Sequence, residues 1–134
     1  MIEVQWGNPE KSVIECRFVS PWDWDEYRKA DATMQAMLES SSSPVDLIMD
    51  FSAGRELPSN ILSNIRAGGP PGHANLRTTV LVNISPLLQV IGGILAKLYP
   101  GRAPKVIPVK TREEALALLN QPDINQQNRF SAGA

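Results

Sequence analysis

The chain opens on strict alternation. Ile2, Val4 and Trp6 fall opposite Glu3 and Gln5, the two-residue period of a strand with one buried face. Gly7-Asn8-Pro9-Glu10-Lys11 supplies turn residues, and alternation resumes with Ile14, Cys16 and Phe18 opposite Glu15 and Arg17. A β-hairpin is predicted. From Ser20 the period changes. Ser20-Pro21-Trp22-Asp23 offers a cap, a first-turn proline and an acid, which predicts a helix running to about Glu39. Tyr27, Ala30, Met34, Met37 and Leu38 form its inner stripe, with Trp24 at the margin and Trp22 off it.

Val45-Asp46-Leu47-Ile48-Met49-Asp50-Phe51 then shows apolar residues on both faces, the pattern of a strand covered by helices on each side. Ser52 to Glu56 reads as a loop and Leu57-Pro58-Ser59-Asn60 as the entry to a second helix, with Ile61, Leu62 and Ile65 inside. That helix must stop before Gly68-Gly69-Pro70-Pro71-Gly72. A fourth strand is predicted over 76–83, rich in β-branched residues. Ser85-Pro86 opens a third helix, whose predicted inner face is Leu87, Leu88, Ile91, Ile94, Leu95 and Leu98. Gly92-Gly93 interrupts it. Either the fold tolerates a weak spot there, or a flat outer face of Gln89, Gly93 and Ala96 admits a second copy as a homodimer.

Residues 105–109 suit a short edge strand, because Pro108 cannot donate to a central ladder. Thr111-Arg112-Glu113-Glu114 is a capping box, in which Thr111 and Glu114 can satisfy each other's amides. The last helix ends near Asn120, and the polar stretch 121–134 reads as a flexible tail. The order β-β-α-β-α-β-α-β-α predicts an α/β domain over 1–120, with a mainly parallel sheet of about five strands between helical layers.

Composition narrows the partners. The 134 residues carry 13 Lys+Arg and 14 Asp+Glu, for a net charge of −1, so a general nucleic-acid surface is not expected. The halves differ: residues 1–67 hold 6 basic and 11 acidic groups, residues 68–134 hold 7 and 3. Cys16 is the single cysteine, which excludes a disulfide framework. No apolar run is long enough to span a bilayer, and the N-terminus begins as a strand without a leader pattern; a cytoplasmic protein is the expectation.

Catalytic constellations do not emerge. His73 is the sole histidine, in a Gly/Pro loop that follows a helix and lacks phosphate-binding spacing. Neither a metal nor a cofactor is implied. Asp50 closes the third strand, and Asp46 shares its face too far away to form a dyad. Asp50, Ser52, Arg55, Glu56 and Asn60 form a candidate recognition loop, since strand end, turn and helix entry converge there. Ser59, at the helix entry, is a candidate phosphorylation switch or an ordinary capping serine. Lys97, Arg102, Lys105, Lys110 and Arg112 form a basic run free of acids, suited to an acidic partner or to blocking edge pairing.

Three short motifs carry a family resemblance: Trp22-Asp23-Trp24 in the first helix, Val45-Asp46-Leu47-Ile48-Met49-Asp50 in the third strand, and Leu98-Tyr99-Pro100 at the end of the third helix. Together with the element order over about residues 2–120, they resemble the STAS family, and most of all its uncharacterised bacterial SpoIIAA-like members, some described with lipid-binding Sec14-type domains. The resemblance implies four turns of a right-handed β-α superhelix with the hairpin strand at its side. In the family's anti-sigma-factor antagonists, an Asp-Ser-Ser-Gly motif opens the second helix and a partner kinase phosphorylates its serine. Here Leu57-Pro58-Ser59-Asn60 occupies that stretch: Ser59 falls near the regulated position without the flanking Asp, second Ser or Gly. The first expectation is a non-enzymatic regulatory or protein-interaction domain with a kinase or anti-sigma-like partner. The second is a small-molecule or lipid-binding module, given apolar helix faces and three tryptophans.

Overall fold

The N-terminal alternation resolves into a hairpin: β1 (Ile2–Trp6) and β2 (Val13–Val19) pair antiparallel, Ile2 opposite Phe18 and Trp6 opposite Ile14. Asn8 shapes its turn, its side-chain oxygen accepting from the amides of Ser12 at 3.0 Å and Val13 at 3.3 Å. The structure is a computed structural model that describes residues 1–67, 73–98 and 105–120. The 121–134 tail, the glycines and prolines of 68–72, Tyr99-Pro100 and Arg102 lie outside the described residues.

The hairpin is followed by α1 (Trp24–Ser40), β3 (Val45–Ala53), α2 (Ile61–Ala67), β4 (Leu76–Val82), α3 (Pro86–Leu98), β5 (Lys105–Val109) and α4 (Arg112–Leu119). The five strands lie in the order β1-β2-β3-β4-β5, parallel from β2 onward. Every crossover therefore steps in the same direction. Right-handed connections then force α1, α2 and α3 onto one face of the sheet. The fourth helix follows the last strand, crosses nothing, and packs on the other face. Pro108 does sit on an edge strand, as its missing donor requires.

The main core lies under α1. Ile14, Cys16 and Phe18 from β2 and Val45, Leu47 and Phe51 from β3 meet Met34 and Leu38. A second, smaller core joins Ala115 of α4 to Val13, Ile48, Val80 and Val82. The helical layers are thus unequal: three helices on one side, one short helix on the other. On that lightly covered side Glu15, Asp46 and Asp50 are buried beside Ile48.

Burial is offset by pairing. Arg77 grips Asp46 with Nε to Oδ1 at 2.9 Å and Nη2 to Oδ2 at 2.7 Å. The β3–β4 register slips between Val45 and Leu47, so Arg77 and Thr78 share the position opposite Asp46. Arg112, at the start of α4, holds Glu15 of β2 by both Nε and Nη2, the latter at 3.0 Å.

Three local expectations change. Ser20 does not cap α1, because its amide donates to the Ala53 carbonyl at 2.9 Å and extends the sheet; Asp23 caps instead, accepting from the Glu26 amide at 2.8 Å. Half of the α4 capping box forms: Thr111 accepts from the Glu114 amide at 3.1 Å, while the Glu114 carboxylate reaches back to Lys110 at 3.3 Å. The third helix is rolled from its predicted orientation. Ile91 is buried and Leu88 partly so, but Leu87, Val90, Ile94 and Leu98 are exposed. Its sequence offers two overlapping apolar flanks, and periodicity alone cannot choose which one meets the sheet.

Candidate functional site: an aromatic cavity under the second and third helices

Where α1, α2 and α3 converge over the sheet they leave a cavity of about 230 Å³. Its floor is Phe18, Met49, Phe51, Thr79 and Leu81; its walls are Trp24 and Tyr27 of α1, Leu57, Ile61 and Ile65, and Leu88, Ile91, Gly92 and Ala96 of α3. Val106 of β5 closes one side and is itself half exposed. These positions follow from the β alternation, which past the register slip sends Leu47, Met49 and Phe51 of β3 and Thr79 and Leu81 of β4 to the helical face.

One end is an aromatic cluster. Phe18 and Phe51 stack with centroids 4.3 Å apart, and Trp24 meets Trp22 edge-on at 5.3 Å and Tyr27 edge-on at 5.6 Å. The cluster also fastens the loop after β3. Trp24 Nε1 donates to the Ser59 carbonyl at 2.7 Å, and Trp22 Nε1 approaches the Gly54 carbonyl at 3.5 Å. Gly54 has to be glycine: a Cβ there would stand 2.6 Å from the Phe18 carbonyl oxygen.

Gly92, exposed on α3, contributes to its edge, and a Cβ there would meet nothing within 4 Å. Thr79, only 5% exposed, carries a hydroxyl with no hydrogen-bond partner among the described residues. An unsatisfied buried hydroxyl costs about 1–3 kcal/mol, so Thr79 is an expensive choice where valine would fit. Among the described residues no Asp, Glu, Lys, Arg or His lines the cavity. Burial pushes the Tyr27 phenol up to about 12, with Asp31 adding to the shift, so it is neutral at ordinary pH. The Cys16 thiol is likewise raised by burial and Asp31 to about 12, which leaves no thiolate nucleophile.

The predicted recognition loop is divided by the sheet. Asp50 lies on the α4 face with its Oδ1 accepting from the Ser52 amide at 2.8 Å, the turn-forming role. Arg17 stands directly across from it on β2. Leu57 turns the opposite way into the cavity, while Arg55, Glu56, Ser59 and Asn60 are exposed. Asn60 adopts a left-handed φ of 60° just before α2 and accepts from the Asn64 amide at 3.0 Å. Ser59 therefore precedes the helix by two residues, accessible and outside its first turn.

The basic run is dispersed as well. Arg112 is engaged with Glu15, Lys97 is exposed near the end of α3, and Lys110 lies exposed beside Glu114 at the start of α4. Lys105 opens β5, and Arg102 falls outside the described residues. On the α4 face an open groove of about 490 Å³ runs along Glu3, Gln5, Glu15, Arg17, Asp50 and Ser52. It is larger than the aromatic cavity, but its buried acids already have partners. The cavity has a largely apolar, aromatic lining that no other element fills, so it is the better binding site.

Among the described residues no helix is long and apolar enough to cross a membrane. No family model matches the chain, and neither a curated protein nor a solved structure matches it.

Proposed function

We propose that this domain is a non-enzymatic binding module that holds an apolar small molecule in the cavity between the sheet and its three-helix layer. The carrying observation is the cavity itself: aromatic at one end, apolar along its walls, and without a charged side chain among its described lining residues. Apolar walls with one polar group are the usual make-up of a small-molecule site. Among the described residues no charged or thiol side chain lines it, which favours binding over chemistry. Titration with the neutral fluorophore N-phenyl-1-naphthylamine tests it. Saturable one-to-one binding with blue-shifted emission is expected; emission that never saturates would end the reading.

A second reading is supported by Ser59, which is exposed on the loop that Trp24 ties to the cavity wall. In this reading the domain is a STAS-like regulator, in keeping with the resemblance of its motifs, and a kinase or anti-sigma-like partner reads the loop. Phosphorylation would place charge beside the aromatic wall and shift the loop. Pull-downs with wild type and Ser59→Asp should recover different partners, and identical recovery would dismiss the switch. The apolar flank of Leu87, Val90, Ile94 and Leu98 supports the accompanying proposal of a homodimer through α3. Light scattering showing a monomer at high concentration would remove it.

A further inference from the structure

We infer a second binding site, separate from the aromatic cavity: the groove on the α4 face takes a small organic cation, an ammonium or guanidinium, whose N–H groups meet Asp50 Oδ2.

The strand register builds the groove. Glu3, Arg17 and Asp50 stand side by side on β1, β2 and β3, in one row across the sheet. Glu15 lies two residues along β2 on the same face. Among the described elements α4 packs chiefly on β3, β4 and β5, so the row runs out from beneath the helix across β2 and β1. About 490 Å³ of open space lies over it, within the roughly 300–1,000 Å³ usual for small-molecule sites.

The described lining residues bring three carboxylates and two guanidinium groups together. Arg112 is held by Glu15 through both Nε and Nη2, and Arg17 Nη1 lies 3.8 Å from Glu3. Asp50 is the acid left over. It is only 6% exposed, yet no Lys, Arg or His among the described residues pairs with it. Its Oδ1 is engaged, accepting from the Ser52 amide at 2.8 Å, whereas Oδ2 has no partner among the described residues. Oδ2 is not sealed off: the sealed, partnerless side-chain atoms among the described residues are Ser20 Oγ and Thr79 Oγ1. It therefore opens onto the groove that Asp50 lines. A buried carboxylate without a countercharge is costly, and an entering cation supplies the charge and the missing hydrogen bond together. A metal ion is a poorer match, because no three acidic, His or Cys side chains converge as ligands among the described residues. An ammonium or guanidinium can anchor on one carboxylate and leave its other donors to water.

Benzylamine, benzyl alcohol and benzoate, one ring in three charge states, test the site by NMR titration at pH 7 and fixed ionic strength. The readout is the Ser52 and Ala53 amides. Wild type is compared with Asp50→Asn, which keeps an acceptor for the Ser52 amide, and with Glu3→Gln, which removes an equal charge from the same row. Benzylamine should shift these amides saturably and bind wild type at least about tenfold more tightly than benzyl alcohol, the scale of one charge-assisted hydrogen bond. Benzoate should leave them unmoved. Asp50→Asn should abolish the preference for the amine, while Glu3→Gln stays within about threefold of wild type, as an exposed charge does. Benzyl alcohol binding as tightly as benzylamine overturns the proposal, and so does a preference that survives Asp50→Asn. Equal losses in the two variants also overturn it, because the amine would then be reading the diffuse field of the surface. Mg²⁺ or Ca²⁺ shifting the same amides at lower concentration overturns the organic cation. Shifts confined to the Leu81 and Ile91 amides would place benzylamine in the aromatic cavity and overturn the groove alone. Thermal melts establish that both variants are folded, and the amine-to-alcohol ratio of wild type stands without either.

Discussion

Trp24 and Ser59, 35 positions apart, are joined by an indole N–H to carbonyl hydrogen bond of 2.7 Å. Through it the first helix fixes the loop that leads into the second, and the aromatic wall of the cavity gains a backbone strut. Trp24→Phe keeps a ring and removes the donor. It should destabilise the fold by about 0.5–1.5 kcal/mol in urea denaturation and weaken binding of the neutral probe. Unchanged stability and affinity would mean that the strut does not matter.

The pair of Arg112 and Glu15 ties α4 to the sheet. Glu15 has a side chain 7% exposed, whereas Arg112 is 45% exposed, so the carboxylate suffers more from losing its partner. Arg112→Met should destabilise by about 1–3 kcal/mol in chemical denaturation, and Glu15→Gln in the same chain should restore part of that loss. Equal losses in single and double variants would show that the two side chains are not coupled.

Alkaline pH should unfold the domain early. Cys16 rises from 9.0 to about 12 and Tyr27 from 10.0 to about 12 on folding, so each keeps its proton in the native state after the unfolded chain has lost it. Their contribution is full below pH 9 and declines between pH 9 and 12, by about 1.4 kcal/mol per pH unit for each group in its window. Denaturation midpoints across this range check the slope, and Cys16→Ala should flatten its lower end.

Two glycines should respond oppositely to alanine. At Gly54 the new Cβ would press to 2.6 Å of the Phe18 carbonyl, and a loss of about 1–3 kcal/mol is expected. At Gly93, on the outer side of α3, nothing lies within 4 Å, and alanine should stabilise the helix by up to about 1 kcal/mol. Thermal melts of the two variants give the signs.

Much of the fold was legible because alternation and turn chemistry act locally. The hairpin, the β-α order, the edge position of Pro108 and the Thr111 cap all follow from short-range rules. The roll of α3 was not, since Leu87, Ile94 and Leu98 are as apolar as Leu88 and Ile91. Ion pairs between Arg112 and Glu15, or Arg77 and Asp46, join residues that only the strand register brings together. The cavity was least visible, because it is defined by what the side chains fail to fill. Its one trace in the sequence was Gly92 inside a helix. The loop after β3 was recognised as a meeting point of elements, but its two sides serve different faces of the sheet.

Gly92→Leu offers the most direct measurement. The substitution meets no atom within 4 Å, relieves the helix of a glycine, and adds bulk at the cavity's α3 wall. The expected result is a folded protein, at least as heat-stable as wild type, whose affinity for N-phenyl-1-naphthylamine falls about tenfold or more, as steric exclusion from a preformed site requires. A stable Gly92→Leu protein that binds the probe as tightly as wild type would contradict the assignment of this cavity as the binding site.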